Sequence, residues 1–299
     1  MKTLSEKMSN YREEYGKVSA FIFLLVIIFA IGFFCFGVSS PKKLQVTFFD
    51  IGQGDAIFIE TPSGKQMLID GGANALVLEK LANEMSYFDR TIDVVVATHG
   101  DADHVTGLIP VLRTYDVSTI IESPIKSESG IFEELQNEIK KEVSEGAGAH
   151  IASRGDVINL GDEVTAAILY PKKNISPRTE TNDASVSVLL TYGEHSFLLT
   201  GDLGASYEHN LVSSSLPKKV TVYKAGHHGS NTSSGELLLS RITPEYSVIS
   251  AGRDNKYGHP HIETLERLQK YSQEVLSTID RGSITFISDG KLMGVTTSR

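Results

Sequence analysis

Residues 92–98 (Ile-Asp-Val-Val-Val-Ala-Thr) form an apolar, β-branched run that passes without a break into His99-Gly100-Asp101-Ala102-Asp103-His104. Such a run predicts a strand, and this strand delivers four potential metal ligands within six residues to the loop at its end. Imidazoles and carboxylates at that density can hold two divalent cations a few ångströms apart, an arrangement that activates water and stabilises the charge of a hydrolytic transition state. The bland alternative is a solvated acidic loop with incidental histidines.

Three further signals repeat the pattern of ligands just past a strand. Thr200-Gly201-Asp202 follows the apolar stretch 196–200 and offers a carboxylate able to bridge two metals, although Gly-Asp alone is a common turn. Gly226-His227-His228-Gly229-Ser230 follows the strand expected at 220–224 and supplies two imidazoles among small residues. Adjacent side chains on a continuing strand point to opposite faces, so one ligand is expected there rather than two. Gly258-His259-Pro260-His261 opens a helix expected at 262–271, with Arg253 and Asn255 shortly before it. A helix N-terminus beside a guanidinium suits a phosphate. Six of the nine histidines fall in these clusters, and His150, His195 and His209 are left to surface or core.

Around the motifs, short β-branched runs alternate with amphipathic stretches. Strands are expected at 44–50, 56–60, 66–70, 92–98 and 117–122 in the first half, with helices at 75–85 and 131–145. The second half has strands at 164–170, 186–192, 196–200, 220–224, 246–251, 275–279, 284–287 and 293–297, with helices at 205–211 and 262–271. Two β-rich halves with outer helices predict an α/β fold, an αββα sandwich over 44–299.

Residues 18–38 carry no charge over 21 positions and are dominated by Phe, Ile, Leu and Val, which matches the length of a transmembrane helix. A 17-residue polar leader and the length of the apolar core favour an uncleaved anchor over a signal peptide. Lys2, Lys7, Arg12 and Lys17 precede the run and only Lys42 and Lys43 follow closely, so 1–17 is expected in the cytoplasm and 44–299 outside the plasma membrane. Cys35, the single cysteine, lies in the apolar run, so the following domain has neither a disulfide nor a thiolate ligand. Beyond residue 38 the chain carries 24 basic and 34 acidic side chains, the wrong sign for indiscriminate nucleic-acid binding.

Taken in order, Phe49-Asp50-Ile51-Gly52-Gln53-Gly54-Asp55-Ala56, Leu68-Ile69-Asp70-Gly71-Gly72, the His99–His104 motif, Thr200-Gly201-Asp202 and Gly226–Ser230 resemble the ComEC-like (competence protein) domains of the metallo-β-lactamase superfamily. The resemblance covers nearly everything from Leu44 to Arg299. It implies that His99 and Asp101 bind one metal, Asp103 and His104 the other, and that Asp202 bridges them. His228, with His227 as alternate or additional partner, completes the set. Asp50 and Asp70 resemble acids that orient the metal-binding loop without ligating. Asn182-Asp183-Ala184-Ser185 stands where many relatives have a further histidine, which points to an open position or to substrate contacts by Asn182 and Ser185. Ser230, Arg253 and His261 are the other expected substrate contacts. Asp101 replaces a usual histidine, and an oxygen donor there makes manganese plausible beside zinc.

The resemblance implies a metal-dependent phosphodiesterase, with DNA as the favoured substrate and Asp103 or Asp101 orienting water. His259 either protonates the leaving oxygen or binds substrate. The chain has no multi-span channel of its own, so a role in DNA uptake requires a partner channel protein. The alternatives are a cell-envelope phosphodiesterase similar to phosphorylcholine esterases and a non-catalytic exported binding module.

Overall fold

The computed structural model describes residues 4–37, 43–212 and 216–299, which divide into two compact units, 1–42 and 43–299. In the first, helix α1 runs over Leu4–Gly37. Among the described residues no helix is long and apolar enough to cross a membrane. The consecutive described side chains of α1 end at Phe29, and the rest of the span expected at 18–38 lies outside them. The transmembrane expectation is therefore not supported by the described part of α1.

The second unit is built on two sheets. The first contains β1 (Leu44–Phe48), β2 (Ile57–Glu60), β3 (Gln66–Ile69), β4 (Thr91–Ala97), β5 (Asp116–Glu122) and β6 (Gly148–Ile151). The second contains β7 (Val157–Asn159), β8 (Thr165–Tyr170), β9 (Ser187–Tyr192), β10 (His195–Leu199), β11 (Val222–Lys224), β12 (Tyr246–Ile249) and β13 (Glu274–Ser277). The chain then returns through β14 (Ile284–Ser288) and β15 (Met293–Thr297), giving the orders β15-β14-β1-β2-β3-β4-β5-β6 and β13-β12-β11-β10-β9-β8-β7. β3 to β6 are parallel, as are β10 to β13.

Alternation along the strands separates three cores. Phe48, Ile57, Ile69, Val94 and Val96 join Ile168, Val188, Phe197, Val222 and Val248 between the sheets. Their neighbours Phe58, Leu68, Val95 and Ala97 face outward onto α2 (Leu76–Glu84), α3 (Ala102–Val105), α4 (Leu108–Leu112) and α5 (Gly130–Glu145). Leu189, Leu198, Tyr223 and Ile249 do the same on the other side, beside α6 (Ala205–Glu208), α7 (Glu236–Ile242) and α8 (Ile262–Tyr271). A period of two with both faces apolar is what a sheet buried on both sides requires, and the αββα architecture follows.

Some boundaries differ from expectation for local reasons. The strand expected at 275–279 ends at Ser277, whose hydroxyl accepts from the Ile279 amide and caps a short helix, α9 (Thr278–Arg281). β6 and β7 lack a recognisable apolar run because they are edge strands with mostly exposed side chains. α7 reads Glu-Leu-Leu-Leu-Ser-Arg-Ile, too short to establish a helical period.

Candidate metal centre

The parallel strands set the site's position. β4, β10, β11 and β12 all end at one edge of the sandwich, so the loops carrying His99, Asp202, His227, His228 and Ser250 meet there. The two sheet ends are tied directly, the Val186 amide donating to the Thr98 carbonyl at 2.9 Å. Ligands collect at the carboxyl ends of parallel strands because the loops leaving them converge.

Each imidazole is held from behind. Asp70 accepts from the Thr98 amide at 2.8 Å and the Thr98 hydroxyl at 2.7 Å, and its Oδ2 lies 2.7 Å from His104 Nδ1. Having donated to Asp70, Thr98 Oγ1 can only accept from His99 Nδ1, 3.0 Å away. His228 Nδ1 lies 3.0 Å from the Ser250 carbonyl, which can only accept. All three rings thus commit Nδ1 to a backing acceptor and turn Nε2 inward, which fixes the orientation a metal ligand needs. Burial and the charge of His104 push His99 down to about 4, so it is neutral with its buried Nε2 unpartnered. Burial opposes the charge on His104 and His228, but Asp202, with Asp70 for His104 and Asp55 for His228, more than offsets it and holds both well above the usual imidazole range. Burial likewise raises Asp202 and Asp103, yet the same two histidines keep both carboxylates well below their ordinary values.

The donors close on one another at the spacing a cation demands. His104 Nε2 and His228 Nε2 are 3.2 Å apart, Asp202 Oδ2 lies 3.3 and 3.2 Å from them, and Asp103 Oδ2 lies 3.3 Å from His228 Nε2. Tetrahedral coordination with bonds of about 2.0–2.1 Å places ligands about 3.3–3.4 Å apart, so the mutual spacing of His104, His228 and Asp202 fits one metal, with Asp103 beside His228. His99 Nε2 and Asp101 Oδ2, 3.9 Å apart, offer a second donor pair beside it. The residues also meet in another grouping, Asp55, His104, Asp202 and His228. Asp55 approaches the imidazoles from their Nδ1 edges, at 3.4 Å for His228 and 3.9 Å for His104, and pairs with Lys224. That places it behind the rings, so Asp103 is the better fourth ligand.

His227 and His228 both reach Asp202 Oδ2, at 3.7 and 3.2 Å. The expectation of a single ligand presumed a continuing strand. Instead β11 stops at Lys224 and both histidines adopt left-handed backbone, φ 48° and 55°, which turns both rings to one side.

Six expected residues have different surroundings. Asp50 is bonded to Arg299 at 2.7 Å and to the Ser283 hydroxyl through its amide, so it braces the C-terminus rather than the metal loop. Ser185 is fully buried and accepts from the Asp202 amide at 3.1 Å, which makes it a support and not a substrate contact. Ser230 is buried against Thr232. Arg253 is exposed and donates to the Ile279 carbonyl, and His261 accepts from the Asn231 amide. None of these five lines the cavity of about 440 Å³ at the site, which Asp101, Asn182, Asp183, Asp202, His227 and Thr232 do. His259 packs its ring 5.5 Å from that of His227, with Nδ1 buried and unpartnered, and burial together with His227 pushes it down to about 4. Sequence reasoning missed Asp55, Lys224, Thr98 and Thr181, the last donating to Asp101 Oδ1 at 2.8 Å. A lysine inside the apolar run Val220–Ala225 was the one available signal.

The metallo-beta-lactamase superfamily model matches residues 49–253, a stretch that contains every donor except those of the 258–261 turn. The chain belongs to the metallo-beta-lactamase superfamily. Among curated members it is 29% identical over 261 residues to ComE operon protein 3 of Bacillus subtilis (strain 168), covering 81% of this chain and 33% of that protein. It is 29% identical over 265 residues to Recombination protein 2 of Haemophilus influenzae (86% and 31%) and 30% identical over 251 residues to Competence protein ComA of Neisseria gonorrhoeae (82% and 32%). The resemblance to ComEC-like domains is borne out. This superfamily member spans about a third of the length of those relatives.

Proposed function

We propose that the chain is a metal-dependent phosphodiesterase, a nuclease acting on DNA during uptake, with two zinc or manganese ions held by His99, Asp101, Asp103, His104, Asp202, His227 and His228. The observation that carries this reading is the convergence of His104, His228 and Asp202 at 3.2–3.3 Å, with Asp103 3.3 Å from His228, on imidazoles already oriented from behind. Divalent cations bound there supply the Lewis acidity that lowers the pKa of water and offsets charge on phosphoryl oxygens. In this reading Asp103 or Asp101 orients the water, and Asn182, whose buried Oδ1 is unpartnered, accepts a hydrogen bond from a hydroxyl of the substrate. A histidine held near 4 is neutral at neutral pH, so His259 acts as a hydrogen-bonding contact to substrate rather than as the proton donor to the leaving group.

The uncharged run 18–38 and the basic leader support an anchor in the plasma membrane with 44–299 outside. Relatives whose names include Competence protein ComA and ComE operon protein 3 support a place in DNA uptake beside a channel protein. A second reading, an envelope phosphodiesterase for a cationic head group, is favoured by the acids Asp101, Asp183 and Glu180 around the cavity, which has no lysine or arginine among its described lining residues. Both are tested by purifying the full chain in detergent, counting bound metal, and assaying linear DNA and p-nitrophenyl phosphorylcholine beside Asp103→Ala. Cleavage of DNA lost in the variant is expected. Preference for the phosphorylcholine ester moves the substrate to the envelope, and metal without activity on either refutes the enzyme reading.

A further inference from the structure

Lys224 is fully buried at the end of β11, the only lysine or arginine so placed among the described residues. An ammonium withdrawn from water is tolerated only where charged and polar partners replace the solvent. Its Nζ pairs with the Asp55 carboxylate, donates to the Gly201 carbonyl at 3.1 Å and stands 3.6 Å from Asp202 Oδ1. The other oxygen of Asp202, Oδ2, faces His104, His228 and His227 at 3.3, 3.2 and 3.7 Å. Oδ1 has no hydrogen-bond partner of its own, so the ammonium is what distinguishes the two ends of this carboxylate.

We propose that Lys224 is a positioning residue that assigns the two oxygens of Asp202 to different duties, Oδ1 to its own charge and Oδ2 to the metals. The inference rests on the metal-dependent reading above. The Asp202 backbone is fixed independently, its amide donating to Ser185, so the rotation left for the protein to control is that of the carboxylate about its last bond. With Lys224 in place Oδ1 is held back and Oδ2 stays turned to His104, His228 and His227. Without it the carboxylate loses the charge that holds Oδ1 and is free to turn both oxygens toward His104 and His228 as two ligands of one ion, which leaves none for a second. Asp55 has a separate part, balancing the ammonium and backing the Nδ1 edges of the histidines. Lys224 also has the Gly201 carbonyl, and so keeps two of its three partners when Asp55 is neutral.

This separation makes the two members of the ion pair distinguishable. The full chain in detergent would be loaded with manganese and compared as wild type, Asp55→Asn, Lys224→Met and the double variant, whose neutral pair keeps the size of both side chains and guards against misfolding of the single lysine change. Readouts are manganese per chain, the exchange-coupled manganese signal in electron paramagnetic resonance, and the melting temperature. The expected result is two coupled ions in wild type, weaker retention of both ions with their coupling kept in Asp55→Asn, and one uncoupled ion in Lys224→Met and in the double variant, with at least tenfold weaker retention of the second ion. A double variant that keeps two coupled ions overturns the proposal and reduces Lys224 to a counter-ion for Asp55. Wild type that binds no manganese or zinc overturns the metal-dependent reading itself.

Discussion

Gly54 lies in the first motif of the hydrolase unit, far in sequence from the metal loop, yet its missing side chain leaves the space that the loop occupies. A Cβ built on Gly54 meets the Asp103 carbonyl oxygen at 1.9 Å and its carbonyl carbon at 3.0 Å, both of them backbone. Reaching a tolerable carbon–oxygen contact of about 3.3 Å requires a retreat of about 1.4 Å. Metal sites tolerate ligand displacements of only about 0.2 Å, and the Asp103 carboxylate sits on that same residue, 3.3 Å from His228 Nε2. Gly54 also has φ +116°, which costs an L-residue about 1–3 kcal/mol. Gly54→Ala is therefore expected to weaken retention of at least one metal by tenfold or more, the range seen when supports of metal ligands are lost. It is also expected to lower the melting temperature by several degrees, at about 2–4 °C per kcal/mol for a unit of this size.

Gly52→Ala provides the control. It shares the loop and a positive φ, +81°, but its Cβ meets nothing within 4 Å. It should lose stability to a similar degree and keep its metal. The assay is equilibrium dialysis against manganese with thermal unfolding in parallel. Wild-type metal affinity in Gly54→Ala, or equal metal loss in Gly52→Ala, refutes the steric argument.

Asp70→Asn removes the charge that backs His104 and holds Thr98, so metal affinity should fall about 10–100-fold with the fold retained, measured by calorimetric titration. His259→Ala should lower turnover about tenfold, the worth of one hydrogen bond to a charged group, ~1.5 kcal/mol, while metal content stays unchanged; loss of metal would count against its role as a substrate contact. Burial raises Glu208 to about 7 despite bonds from the Gly235 and Ser234 amides. Because its folded pKa lies above the unfolded one, its contribution is fully present below about pH 4.3 and is lost as pH rises through 7, a difference of about 3 kcal/mol. The stability of Glu208→Gln relative to wild type should therefore rise by that order between pH 4.5 and 8, and urea midpoints that keep a constant difference across this range would show the burial argument to be wrong.

The parts of the site legible in the sequence are those in which ligands are dense and lie just beyond a strand. His99 to His104, Asp202 and the paired histidines all satisfy that condition, and all meet at one edge of the sandwich. Local signals failed where a side chain's role depends on what a distant segment places beside it. Arg253 and His261 follow a sound rule about helix N-termini, but their hydrogen bonds go to Ile279 and Asn231. Ser185 and Asp70 are both supports, and only the fold shows that the serine serves the Asp202 amide. The His227–His228 pair departs from the backbone of a continuing strand, since two successive left-handed residues are rare outside glycine and nothing in the letters announces them. Lys224 and Asp55, 169 positions apart, become a pair only through the packing of both sheets.

The pairing also bears on how an acidic protein could handle a polyanion. Asp55, Asp70, Asp101, Asp103 and Asp202 gather five carboxylates at the centre, each with a pair or hydrogen-bond partner among His99, His104, His228 and Lys224. Two divalent cations bound as proposed would, together with Lys224, bring five positive charges to the five acids. That balance would be local, and Lys224 would supply one of the five charges. The cavity beyond it keeps Glu180 and Asp183, so a phosphate finds no attraction at the rim and gains its binding energy only on reaching the centre. An enzyme arranged in this way would select a phosphodiester by its fit to the metals, not by long-range charge, which is compatible with a net acidic surface and incompatible with indiscriminate binding along a duplex.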